Sequence, residues 1–376
     1  MSEAIGIREV GWFDCPGGGQ VVVDGTTAYV GHIKGPEATT VIDVSDPKNP
    51  KLANQIQCKH SGVHSHKVRA KDGIMLTNYE AIGYAGDPDA TFRGGLNIYD
   101  LSNPHSPEPI HFWECDGSGI HRFTWDGRYA YISPEIDGYD GNICMILDLK
   151  DPRNPVEVGR WHVPGQWTAG GETPTWENAR HRCHHPLRMG NRLYTSYWHG
   201  GFVILDIDDI TAPKLVSHVD WSPPYPCPTH TALPIPHEIG GRKFIVCTDE
   251  EVSDRLHPTP NAFLWVVDVT EETKPVPVST FRVPHDQPFN NDCWFGAHQP
   301  QEQVDGNVLF VTWFAGGLRA VDISDPYLPR EVGHFQPEPG PGETIVQSND
   351  VFYDRDTGLI YVLDRLNGLD VLRFDS

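Results

Sequence analysis

No run of about 18 apolar residues occurs anywhere in the sequence, so no helix able to cross a membrane is encoded. The stretch from Met1 to Val10 has no basic segment leading into an apolar one, which points to a cytoplasmic protein without a secretory signal. Lysine and arginine are scarce, 29 against 51 aspartates and glutamates, and the formal net charge is −22. That excess excludes a nucleic-acid surface and docking on anionic lipid, both of which need clustered cations. The eight cysteines form no CxxC pair, which excludes a cysteine-based zinc site and, without an export signal, favours free thiols. There is no GxSxG elbow, no Walker A loop and no GxGxxG after a strand, so the hydrolase, NTPase and dinucleotide-binding readings lack their motifs. Helix-period apolar patterns are rare as well.

What the chain has instead is glycine, 37 residues, and proline, 33, which together punctuate short strands. Its 376 residues would ordinarily suggest two or three domains. A recurring phrase overrides that prior: branched apolar residues, an aspartate, then a turn that usually ends in proline. It occurs at 40–47, 97–104, 145–152, 203–210, 265–272 and 319–326, with marker aspartates Asp43, Asp100, Asp148, Asp206, Asp268 and Asp322. A degenerate seventh copy occupies 368–374. Each copy is preceded by a strand pair split by a Gly turn, and most are followed by a further strand, so one unit is a four-stranded propeller blade. The marker aspartates are expected to cap the turn that follows by bonding backbone N–H groups. Residues 8–14, Arg-Glu-Val-Gly-Trp-Phe-Asp, repeat the outer-strand text of 330–336. The expectation is therefore an all-β chain, a seven-bladed β-propeller spanning 1–376 as one domain, its ring closed by residues 6–14 pairing with the C-terminal blade.

These phrases resemble the LVIVD-repeat family of β-propeller proteins over residues 20–374 plus the closing strand. That resemblance implies a propeller and leaves function open.

Aligning the units on their Gly turns puts one position of each at the start of the innermost strand, where a propeller's channel opens. Those positions hold His66, His121, His184, His230, His298 and Asn349, with Gly19 or Gln20 in the first unit. Nineteen histidines in 376 residues predict well under one at seven positions, yet five are found. Imidazoles converging on one axis suit a transition metal: Fe(II) is favoured, with Cu, Zn or Mn as alternatives. His64 and His185 are neighbouring candidates. Glu80, Glu135 and Glu250 recur after the second strand of their units, where a carboxylate can accept the second N–H of a ligating imidazole or move protons. His199 stands at the matching point of the fourth unit. Long aromatic connections carry Trp167, Trp176, Tyr225, Trp294 and Phe295, which with His199 and Asn349 are expected to wall a pocket for a small, partly aromatic molecule. Cys183 and Cys293 are weaker candidates as thiol nucleophiles.

The expected function is a metal-dependent oxygenase or oxidase. A metal-dependent lyase or hydrolase is the second reading, and a non-enzymatic propeller serving protein interaction the third.

Overall fold

The computed structural model describes residues 3–88, 91–176, 179–252, 260–284 and 293–375. The described residues are almost all strand, turn and loop. Their helical segments are two single 3-10 turns, Gly83–Ala85 and Thr168–Gly170. The chain packs as two compact units, one of residues 17–193 with 206–214, the other of residues 1–16, 194–205 and 215–376.

In the first unit, strands Gly18–Asp24, Thr27–His32, Glu37–Asp43 and Lys51–Gln57 form an antiparallel four-stranded meander in sequence order. The next two meanders are joined edge to edge into nine strands, because Gly119 pairs with Glu80. Their core holds Leu76, Leu96, Ile98, Ile120, Phe123, Ile132, Met145 and Leu147, each at most 2% exposed. Burial of a side chain of this size contributes roughly 1.5–3 kcal/mol.

Among the described residues, three four-stranded sheets lie wholly within the second unit. Thr229–Pro234, Phe244–Asp249, Leu264–Asp268 and Val276–Phe281 make one. Val308–Thr312, Leu318–Asp322 and Arg330–Gln336 make another, to which Glu3–Ile5 adds the outer strand. Ser348–Asp354, Leu359–Asp364 and Gly368–Phe374 make the third, completed by Ile7–Phe13. The pairing expected for residues 6–14 is thus present, and the N-terminus serves two sheets rather than one. Gly6, at φ +65°, makes the turn between them. Ile7 is buried with Phe335, Ile360 and Leu372, which anchors the strand by packing as well as by its ladder.

The marker aspartates cap their corners as expected. Oδ1 of Asp43, Asp100, Asp148, Asp206, Asp268 and Asp322 accepts a bond from the backbone N–H two residues on, at 2.6–2.9 Å. The degenerate copy differs. Asp370 falls inside its strand, opposite Trp12 and Val362, and is 2% exposed with Oδ2 unbonded. Burial first, then the nearby Glu9 and Asp364, push its carboxyl well above the usual range. A raised acid gives stability that is complete below the unfolded pKa and is lost as pH rises through the folded one. Asp370→Asn is therefore expected to stabilise the protein at pH 7.5 by on the order of 1–3 kcal/mol, the cost of an unsatisfied buried group. The gain should vanish below pH 4, as urea unfolding at the two pH values will read.

Candidate metal centre

Glu80 is held in the first unit between two pairing partners, His64 on one side and Gly119 on the other. The strand Gly117–Trp125 then bulges. Ile120 pairs with Pro134 and Arg122 with Ser133, so His121 is the extra residue. Bulges of this kind re-aim a side chain out of the regular alternation. The same irregularity makes Gly19, His230 and Asn349 the extra residues of their strands. Four of the seven positions aligned from sequence therefore share a backbone device.

His121 Nδ1 lies 2.8 Å from Glu80 Oε2, and His64 Nδ1 lies 2.6 Å from the Ile33 carbonyl oxygen. A carbonyl only accepts, so His64 Nδ1 carries its proton; Glu80, when ionised, likewise only accepts, and His121 Nδ1 then carries the proton, leaving each Nε2 its lone pair. The His64 and His66 rings stack at 3.6 Å, with His121 5.0 Å from His66 and His184 5.1 Å from His121. One ligand nitrogen from each of His64, His66 and His121 lies within 4.8 Å of the others. Burial pushes His64 down to about 3 and holds His66 well below its ordinary value, which keeps both neutral, the form that ligates. Burial also lifts Glu80 up to about 7. Neutral imidazoles with oriented lone pairs, backed by a carboxylate, are a donor set that fits a borderline transition metal.

Two features of this cluster had no sequence signal. Asn78, fully buried, accepts from Lys67 N at 2.7 Å and donates to Ile120 O at 2.8 Å, tying together the segments that carry His66 and His121. Gly19 and Gly31 let the backbone pass close to His66: a Cβ at Gly31 would lie 2.7 Å from the His66 carbonyl carbon.

The other two histidines aligned from the sequence belong to the second unit. His230 and His298 have ring centroids 4.1 Å apart, and Glu250 Oε1 is 3.5 Å from His298 Nε2. Asn349 holds His298 through its carbonyl, which accepts from Nδ1. Phe314 packs on His298 at 4.7 Å, and Trp294 sits edge-on to Phe314 at 5.4 Å. Arg365 lies over Trp294 and Phe314 and donates to Asn349 Oδ1 at 2.7 Å. Phe295 bridges to Phe314 through its backbone, so Trp294, Phe295 and Asn349 do gather near His298.

The remaining candidates lie in other surroundings. Glu135 is in a half-exposed ion pair with Arg180, 2.7 Å. Trp167 is 45% exposed, and Trp176 stacks on His181 at 4.6 Å. Tyr225 stands edge-on to Trp265 at 4.6 Å, within a cluster that includes Trp221 and Phe263. His199 is buried beside Trp198. His185 is fully buried too. The aromatic connection that begins at Pro284 falls partly on 285–292, outside the described residues. All eight cysteines are free. Burial pushes the Cys183 thiol well above its ordinary value and raises that of Cys293, which suits neither to nucleophilic attack.

Antiparallel four-stranded sheets with repeated capped corners define an all-β, propeller-like protein. Within that class the chain carries LVIVD repeats: the LVIVD repeat family matches residues 19–57, 189–220 and 303–336. An uncharacterized protein of Methanocaldococcus jannaschii, MJ1554, is 28% identical over 109 residues, 28% of this chain, and the match spans only 16% of that protein. Among solved structures, Raptor of Chaetomium thermophilum is similar with a TM-score of 0.62 at 12% identity, covering 98% of this chain and 29% of that one. A protein from Lactobacillus plantarum gives 0.59 at 11%, covering 96% and 89%. Sqt1 of Saccharomyces cerevisiae gives 0.57 at 10%, covering 96% and 87%. Identities this low carry the fold alone.

Proposed function

We propose that the chain is a seven-bladed propeller whose ring is closed by the N-terminal strand, and that it is a metal-dependent enzyme acting on a small, partly aromatic molecule. An oxygenase or oxidase is the favoured class. The observation that carries this reading is the His121 Nδ1 to Glu80 Oε2 contact of 2.8 Å, which orients a second nitrogen beside His64 and His66. A surface built for protein interaction has no need of a buried carboxylate fixing an imidazole tautomer. A bound metal would supply Lewis acidity and, if it is iron or copper, redox chemistry. The chain's own part is to hold neutral imidazoles in place and keep Glu80 poised near neutral pH as a proton acceptor for His121. Imidazoles alone leave the metal's charge uncompensated, which favours a site open to small ligands over a closed structural one.

The test is metal analysis of the purified protein beside His121→Ala and His66→Ala. A transition metal at near-stoichiometric level in the parent, lost from either variant with the fold intact by circular dichroism, supports the reading. Metal-free parent protein that stays metal-free after anaerobic reconstitution with Fe(II), Cu, Zn and Mn overturns it.

A further inference from the structure

We infer that the second unit carries a binding site for a small organic carboxylate with an apolar body, in the pocket beside Arg282. The pocket has a volume of about 260 Å³ and is lined by Asn261, Ala262, Arg282, Val283, Pro284 and Trp313. All six residues belong to the second unit, and none is part of the His121 centre. Pockets for drug-sized ligands span roughly 300–1,000 Å³, so the occupant is smaller than those.

The cation decides the charge of the ligand. Arg282 directly follows the strand Val276–Phe281, whose last residue pairs with Leu264. Its guanidinium lies 5.6 Å from the centroid of the Phe263 ring, within the range of a cation–π contact. Among the described residues Arg282 has no hydrogen bond and no ion pair. With 51 acids to 29 lysines and arginines, partners are plentiful, and Arg128, Arg160, Arg188 and Arg330 each hold a carboxylate. Arg282 is held over an aromatic ring instead, with its fork of N–H donors unspent. That fork matches the two oxygens of a carboxylate and can bind them together.

The other walls decide its body. Both main-chain groups of Ala262 are used, the N–H by Glu251 Oε2 at 2.9 Å and the carbonyl by Ala297 N at 3.0 Å, so this residue offers a ligand only its methyl. Trp313 is 1% exposed and stands edge-on to Phe281 at 5.7 Å, which fixes it as a flat apolar wall. Val283 and Pro284 are apolar and stiff, the first at χ1 and the second at φ. Asn261 Nδ2 donates to the Phe295 carbonyl at 2.7 Å, which ties down the remaining side. Walls fixed before binding lower the ordering cost, so even a small ligand gains from them.

Ligand-observed saturation-transfer NMR with benzoate and benzamide tests it, on the parent, Arg282→Gln and His121→Ala. Benzamide has the shape of benzoate without the charge. Benzoate is expected to bind the parent with a Kd on the order of 1 mM. Benzamide should bind at least about tenfold more weakly, and Arg282→Gln should weaken benzoate by a similar factor, the loss of a charge-assisted hydrogen bond. Arg282 is exposed, so the variant is expected to fold, as circular dichroism will read. Should it not fold, the comparison of benzoate with benzamide on the parent still decides. No benzoate signal at about tenfold the expected Kd overturns the inference. So does benzamide binding as tightly as benzoate, or a folded Arg282→Gln protein that binds benzoate like the parent. His121→Ala should bind benzoate like the parent, and loss of binding there would place the carboxylate on the metal and overturn the inference. Arg282→Gln should keep the parent's metal content, so this site and the function proposed above fail separately.

Discussion

Replacing Glu80 with glutamine is expected to lower affinity for a divalent transition metal by about 10- to 100-fold while making the metal-free protein more stable at pH 8. The two effects have one cause. Glu80 is 2% exposed, and burial lifts its carboxyl from 4.5 up to about 7. For a raised acid the stability is whole below the unfolded pKa and falls as pH rises through the folded value. Between about pH 4.5 and 7 the metal-free parent should therefore lose on the order of 2–3 kcal/mol that the glutamine variant keeps. The Gln carbonyl can still accept from His121 Nδ1, so the ring stays where it is, and what disappears is the negative charge that makes its Nε2 a stronger donor. Urea unfolding of the metal-free proteins at pH 5 and pH 8, set beside competitive metal titration at pH 8, reads both halves. Equal metal affinity in parent and variant would show that Glu80 fills space and does not tune a ligand. A variant less stable than the parent at pH 8 would show that the ionised acid is compensated by some other group.

How far this was legible in the sequence differs between strands and side chains. The marker aspartates were readable because an Asx turn is a local interaction: Asp322 and Ser324 are two residues apart, and the chemistry that joins them is written in that interval. The pairing of Ile7–Phe13 with Gly368–Phe374 was readable across the whole chain because the repeat left one strand missing at the end and one spare at the start. These histidines could be aligned because the repeats share a backbone course, down to the bulge that makes His121 and His230 extra residues. The bulges themselves were not foreseen. An extra residue depends on the register of two strands, which a single strand's alternation does not specify. Asn78 was invisible for a related reason: its bonds to Lys67 and Ile120 join segments whose proximity only the fold creates. Glu80 and Glu135 looked equivalent from their place after the second strand, and both pair with Gly119, yet Glu80 is also paired with His64, while Arg180 draws Glu135 out.

The glycines beside His66 show the same limit and allow a sharper test. Gly31 reads in sequence as one small residue in a strand. In the fold, His32 exchanges both backbone bonds with Ser65, at 3.0 and 3.2 Å, and this bridge presses Gly31 against the next peptide. A Cβ at Gly31 would stand 2.7 Å from the His66 carbonyl carbon and 2.9 Å from the His66 and Ser65 carbonyl oxygens. These are main-chain atoms, so no rotamer change relieves the contact, and the segment carrying His66 must move. Gly31→Ala is expected to destabilise the protein by about 1–3 kcal/mol, the usual cost of overpacking. It should also abolish metal binding at the His121 centre, because ligand nitrogens displaced by an ångström no longer share one ion. Gly83→Ala is the control, since a Cβ there meets nothing within 4 Å and Gly83 has no positive φ. Thermal unfolding and metal content of the two variants, measured together, separate the effects. A folded Gly31→Ala protein that binds metal like the parent would place His66 outside the ligand set and leave His64 with His121 to hold the ion.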